Sequence, residues 1–127
     1  MIIFVGQFWK LISQNGDHQV GKLENRNGDW KYSNITWIIP KYVIGIVKVN
    51  GTNDVMDLMD NETNQVGLRT MTSKKQCWAI EKIHYPVTEW FKIRKSSCSI
   101  NEDEQRESLY LTAKSSKYLT IEGMFEL

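Results

Sequence analysis

The residues of this 127-residue chain that could carry chemistry are two histidines, two cysteines and an evenly spaced set of aspartates. Nucleophilic catalysis needs a nucleophile, a base and an orienting group brought together. His18 and His84 both fall in or near turn-forming stretches, beside no recognisable nucleophile motif. Cys77 alternates with apolar positions and reads as a buried, inert thiol. Cys98, within Ser96-Ser97-Cys98-Ser99, reads as an incidental thiol in a polar loop. Two cysteines are too few for a disulfide scaffold and do not make a zinc site, so both are expected to be reduced. Asp54, Asp57 and Asp60 are spaced by three, without the glycine and terminal glutamate of a calcium loop. No phosphate loop or His-Glu metal motif occurs. The expectation is a protein that is not an enzyme and has no metal site and no cofactor.

Charge restricts the partners. The net charge is +1, and the densest basic cluster, Lys92 to Lys95, is interrupted by Ile93 and offset by Glu102-Asp103-Glu104. A nucleic-acid surface needs clustered cations, so nucleic acid is not expected as a partner. No stretch is long and apolar enough to cross a membrane as a helix, and membrane insertion is not expected. The opening MIIFVGQFW lacks a charged leader and small cleavage-site residues. The expected location is therefore the cytoplasm, with secretion as the alternative. Three glycosylation sequons, beginning at Asn34, Asn50 and Asn61, would matter only in a secreted chain.

The elements that would position any site are strands. Trp9 and Leu11 flank Lys10, Val47 and Val49 flank Lys48, and Phe91 and Ile93 flank Lys92. Alternation with period two marks half-buried strands, because successive side chains point to opposite faces. Turn formers separate them: Asn15-Gly16-Asp17, Asn25 to Asp29, Asn50 to Asp54, and Asp60-Asn61 with Asn64. Pro40 and Pro86 lie between strands, where a missing donor costs little. No convincing helix is present, and residues 101–108 read as a loop.

The strands recur. Trp37 and Trp78, each heading a similar strand, are 41 residues apart, and a further step of 41 reaches Leu119. The strands at Trp9, Val47 and Phe91 form a second set, with spacings of 38 and 44. Units of about 40 residues, none able to bury its apolar face alone, imply a closed threefold assembly. One domain is expected over 1–127, with units near 1–42, 43–86 and 87–127.

The window Val47 to Ile83 resembles the β-trefoil, and most closely the ricin B-type lectin family. Ile46 to Val49, Val55-Met56-Asp57-Leu58, Val66-Gly67-Leu68 and Gln76-Cys77-Trp78-Ala79-Ile80 follow that family's strand order, ending in its Gln-x-Trp motif. Phe91 to Thr112 resembles the start of a further unit, and Gln7-Phe8-Trp9 either repeats the motif or belongs to a first strand of the Trp9-Lys10-Leu11 set. If Tyr118 to Glu122 is a third strand, the last unit is one strand short, and the N-terminal segment is expected to close the ring. The resemblance implies an all-β, closed-barrel fold in which Trp78 fills the core. It also implies that Gln76 ties neighbouring backbone, since an amide can satisfy donors and acceptors that are costly to bury.

The resemblance further implies carbohydrate binding without enzymatic activity. A sugar has polar edges and an apolar face, so its site needs an acid, an aromatic ring and an amide. Asp57 matches the family's acid. Arg69 stands where the ring would be, and Lys75 stands where an asparagine would precede Gln76. The candidate site is Asp57, Asn61, Asn64 and Gln76, with Gln65 nearby. Lys22 or Glu24 lies near the acid's place in the first unit, and Thr112 occupies it in the third. Trp30 and Tyr32, following a turn, form a candidate exposed stacking platform. The expected partners are glycans or glycoproteins, with the oligomeric state open and a homodimer as one candidate.

Two other readings compete. A trefoil protease inhibitor would grip proteases with the loops Asn50 to Asp54 and Cys98 to Ser108. A small lipid-binding barrel would share the opening Phe4 to Leu11. It needs a helical lid after its first strand, and the glycine-containing residues 13–28 supply no apolar helical stripe.

Overall fold

The computed structural model describes residues 2–3, 7–41, 43–60, 62–82, 89–99, 108–123 and 125–126. Asn61, His84, Pro86 and the Glu102-Asp103-Glu104 run fall outside them. Every regular element among the described residues is a β-strand. In chain order these are β1 (Ile2–Ile3), β2 (Trp9–Gln14), β3 (Asp17–Asn25), β4 (Thr36–Ile38), β5 (Ile44–Gly45) and β6 (Lys48–Val49). Then follow β7 (Asp54–Asp60), β8 (Gln65–Thr70), β9 (Cys77–Lys82), β10 (Phe91–Ser96), β11 (Tyr110–Ala113), β12 (Leu119–Glu122) and β13 (Phe125–Glu126).

The strands close on themselves. Nine of them form a circuit, β2-β3-β4-β6-β7-β8-β12-β11-β10, which returns to β2 where Phe91 faces Trp9. β10 also pairs along its whole length with β9, which carries β5 on its other side. β1 pairs with β13, so the two ends of the chain meet. All of these pairings are antiparallel, and closure leaves few free strand edges.

Turn chemistry sets the register. Asn15 (φ 54°) and Gly16 (φ 76°) join β2 to β3 in a two-residue turn with both central residues left-handed, as Asn-Gly favours. Gly21 on β3 approaches Ile12 so closely that a Cβ would lie 2.0 Å from the Ile12 carbonyl oxygen. A glycine is therefore required there for contact, beside the register shift at Ser13/Gln14. The direct turn from β2 into β3 occupies the place where a lipid-binding barrel would carry its helical lid.

The core is built round indoles. Trp9, Trp37 and Trp78 are fully buried. Trp9 Nε1 donates to the Leu111 carbonyl, Trp78 Nε1 to Met56 and Trp30 Nε1 to Leu23. Trp30 lies edge-on to Trp9 (ring centroids 4.7 Å apart) and stacked near Trp37 (6.1 Å). Trp30 is thus a core residue, and the exposed Trp30–Tyr32 platform does not exist. The polar turn at Asn27-Gly28-Asp29 suggested exposure, but burying an indole at the barrel's centre outweighs it.

Three further expectations are corrected. Cys77 and Cys98 are joined in a disulfide, with an S–S distance of 2.07 Å, and no described cysteine is free. In the β9–β10 ladder Cys77 faces Ser96, so the chain has only to continue two residues for Cys98 to reach it. Tyr118 to Glu122 does not repeat the strands headed by Trp37 and Trp78. It contains β12, the return strand of a hairpin with β11, in which Ala113 faces Leu119 and Tyr110 faces Glu122. The strands at Trp9, Val47 and Phe91 likewise do not share one role: β2 forms a hairpin with β3, whereas β10 pairs mainly with β9.

Candidate functional site

The expected sugar-site residues separate into two places. Asp57 sits in the middle of β7 opposite Gly67, and Asn64 sits in the β7–β8 turn with a left-handed backbone (φ 57°). Asn64 presents its carbonyl to the Ile121 amide, which ties this turn to β12. Gln76 lies elsewhere, at the entry to β9. Asn61 is outside the described residues.

Asp57 is buried rather than solvated. Its Oδ1 accepts a hydrogen bond from the Leu58 amide (2.8 Å), and its Oδ2 lies 3.8 Å from Arg69 Nε. The guanidinium that stands in the place of a stacking ring therefore leans over the carboxylate that would anchor a sugar. Only 11% of the Asp57 side chain remains accessible. Of the acid's places in the other units, Lys22 and Glu24 are exposed on β3, and Thr112 is buried with its hydroxyl donating to the Tyr110 carbonyl.

Gln76 behaves as its place beside Trp78 suggests. Its Nε2 donates to the carbonyls of Cys77 and Ser96, both at 2.8 Å, and so laces β9 to β10 at one end of the barrel. The same residue lines an open groove of about 460 Å³, together with Ser73, Lys74, Lys75, Lys95, Ser96, Ser97 and Cys98. Neither Asp57 nor Asn64 contributes to that lining.

The groove has a rigid floor. Strand β10 pairs with β9 there, and the disulfide joins Cys77 to Cys98 across the same edge. Cys98 Sγ lies 3.4 Å from the Lys75 carbonyl, so the loop carrying the lysines rests on the disulfide. Thr72 shapes that loop by accepting from the Lys74 amide and donating to the Lys74 carbonyl. Among the described residues, three lysines and no carboxylate line the groove. None of the three has an ion-pair partner among the described residues.

The neighbouring charges are used internally. Arg94, 5% exposed, donates from Nε to Glu81 Oε1, and the Tyr110 hydroxyl donates to Glu81 Oε2 (3.0 Å). Burial, and then the hydrogen bond to Glu81, raises the Tyr110 hydroxyl above its ordinary value. Burial lowers the Lys92 ammonium, with the Glu81 charge opposing it. Lys92 lies over the rings of Phe8 and Tyr110, and Arg26 over those of Phe8 and Trp90.

The groove was missed in the sequence, although each part of it was visible. Lys74-Lys75 and Lys92 to Lys95 are separate short runs, and only the β9–β10 register brings Lys95 beside them. Among the described residues no group of three or more His, Cys, Asp or Glu could hold a metal ion. The class these observations define is an all-β closed barrel with an open, cationic, hydrogen-bonding groove at one end. Comparison with protein-family models, curated proteins and solved structures gave no match.

Proposed function

We propose that this chain is a non-catalytic glycan-binding module, a lectin built as a β-trefoil. Three seams support the trefoil reading, and they lie at the expected boundaries between units. β4 pairs with β6 between the first and second units, β9 with β10 between the second and third, and β13 with β1 between the last and first. One hairpin lies inside each unit: β2–β3, β7–β8 and β11–β12. Three seams and three hairpins are compatible with a ring of three similar units.

The observation that carries the glycan reading is the open groove at Gln76, whose lining offers serine hydroxyls, an amide and ammonium groups on a rigid strand pair. Sugars are recognised by side chains of this kind, placed where bound water is easily displaced. The disulfide favours the secreted alternative, because such bonds persist in oxidising compartments.

The test is a broad glycan array probed with the labelled protein beside Asp57→Ala. The expected result is binding to a subset of glycans that survives in Asp57→Ala, since Arg69 already covers that carboxylate. Binding lost in the variant, with unchanged circular dichroism, would move the site to the β7–β8 hairpin, around Asp57, Asn61 and Asn64. No binding by either protein would remove the lectin reading.

One observation favours a second reading, protease inhibition. The disulfide anchors Cys98, where the expected inhibitory segment Cys98 to Ser108 begins, on β9, and an inhibitory loop needs a rigid base; residues 100–107 lie outside the described residues. Inhibition assays against serine and cysteine proteases distinguish this reading from the first.

A further inference from the structure

We infer that the Gln76 groove takes an acidic saccharide, one carrying a sulfate or phosphate ester beside its free hydroxyls. This inference rests on the glycan-binding reading above and specifies the ligand class of the same site. Lys74, Lys75 and Lys95 converge on the groove from the 71–76 loop and from β10, and no carboxylate is among the described lining residues. Three ammonium groups gathered in one lining, with no acid among its described residues, make a local positive field, although the whole chain carries only +1.

The remaining lining suits hydroxyls. Both amide hydrogens of Gln76 are taken by the Cys77 and Ser96 carbonyls, which leaves its Oε1 as an acceptor. Ser73 is exposed and adds a hydroxyl. An acceptor of this kind repels a bare anion but welcomes a sugar hydroxyl, so the ligand must carry both kinds of group.

The described lining also holds no aromatic ring. A neutral sugar would have no partner for its apolar face, so charge has to supply the attraction that stacking supplies elsewhere. The same lack disfavours single-stranded nucleic acid, whose bases bind by stacking on aromatic side chains. A lipid surface would require large apolar side chains to insert, and the described lining has none.

The experiment is calorimetric titration of the full chain with a sulfated glucosamine–uronate hexasaccharide. The comparison ligands are a neutral hexasaccharide, inorganic sulfate alone and a single-stranded oligonucleotide. The variants are Lys74→Gln/Lys75→Gln, confined to the loop, and the triple change that adds Lys95→Gln. A control replaces the exposed Lys22, Lys31 and Lys117 by Gln, for the same change in net charge.

The expected result is that the sulfated sugar binds most tightly and weakens as salt rises from about 50 to about 500 mM. Each groove lysine contributes up to about fivefold, so the triple variant loses about tenfold or more while the control stays within about twofold. Equal loss in the control, or equal affinity for inorganic sulfate, would overturn the inference, as would tighter binding of the oligonucleotide. Binding of the neutral hexasaccharide without preference for the sulfated one would overturn it and leave the glycan reading standing. Absence of binding to any saccharide would sink both.

Discussion

The four described core indoles differ in one atom's surroundings. Trp9, Trp30 and Trp78 each donate to a backbone carbonyl, whereas Trp37 Nε1 is buried with no partner among the described residues. An unmade buried hydrogen bond carries a desolvation cost, and a made one contributes about 1 kcal/mol. Trp78→Phe is therefore expected to lose about 1 kcal/mol more than Trp37→Phe, measured by urea denaturation. An equal loss would show that packing alone decides both sites. The Glu81 cluster provides a second prediction at this scale. The Tyr110 hydroxyl is raised in the folded chain above the unfolded value of about 10. Its stabilising contribution is therefore complete below about pH 10 and is lost as pH rises through the higher folded value. Lys92 is depressed, so its contribution has the opposite sign: it grows as pH rises through the lowered folded value and is complete above the ordinary lysine value. Tyr110→Phe should flatten the alkaline fall in melting temperature, and an unchanged slope would exclude Tyr110 as its source.

At the scale of elements, the β9–β10 pair organises one end of the molecule. It carries the disulfide, the Gln76 hydrogen bonds, the groove and the Arg94–Glu81 pair. The disulfide closes a loop with a sequence separation of 21, for which chain entropy predicts about 3 kcal/mol of stabilisation. Cys98→Ser, compared with the oxidised chain by chemical denaturation, should lose about that amount. A negligible loss would mean that the six-residue β9–β10 ladder holds this end without the covalent link. The loop bearing Lys74 and Lys75 rests on Cys98 through the Lys75 carbonyl, so reduction should also weaken ligand capture in the groove.

At the scale of the whole molecule, closure is the main feature. No hairpin here can bury both the indoles and its own edges. Trp9 on β2 reaches Leu111 on β11 for its hydrogen bond and Phe91 on β10 for its pairing. The prediction is one cooperative transition, with tryptophan fluorescence and far-ultraviolet circular dichroism coinciding in urea. A fragment spanning residues 1–42 should show no strand signal alone. Separate transitions would mean that the units are independently stable, against the shared core.

Period-two alternation at Trp9–Leu11, Val47–Val49 and Phe91–Ile93 was enough to define an all-β chain, because pleat geometry is local. Asn15-Gly16 was enough to mark a turn, because such residues accept left-handed positions. The backbone-tying role of Gln76 was implied by the resemblance of Gln76-Cys77-Trp78 to the Gln-x-Trp motif, and its bonds to the Cys77 and Ser96 carbonyls agree with it. The fate of Trp30, the bond between Cys77 and Cys98, and the meeting of Lys95 with Lys74 and Lys75 were not local. Each depends on which strands become neighbours and in what register. That is decided only when the barrel closes, because the burial of indoles in a shared core selects one pairing from the many that alternation alone permits.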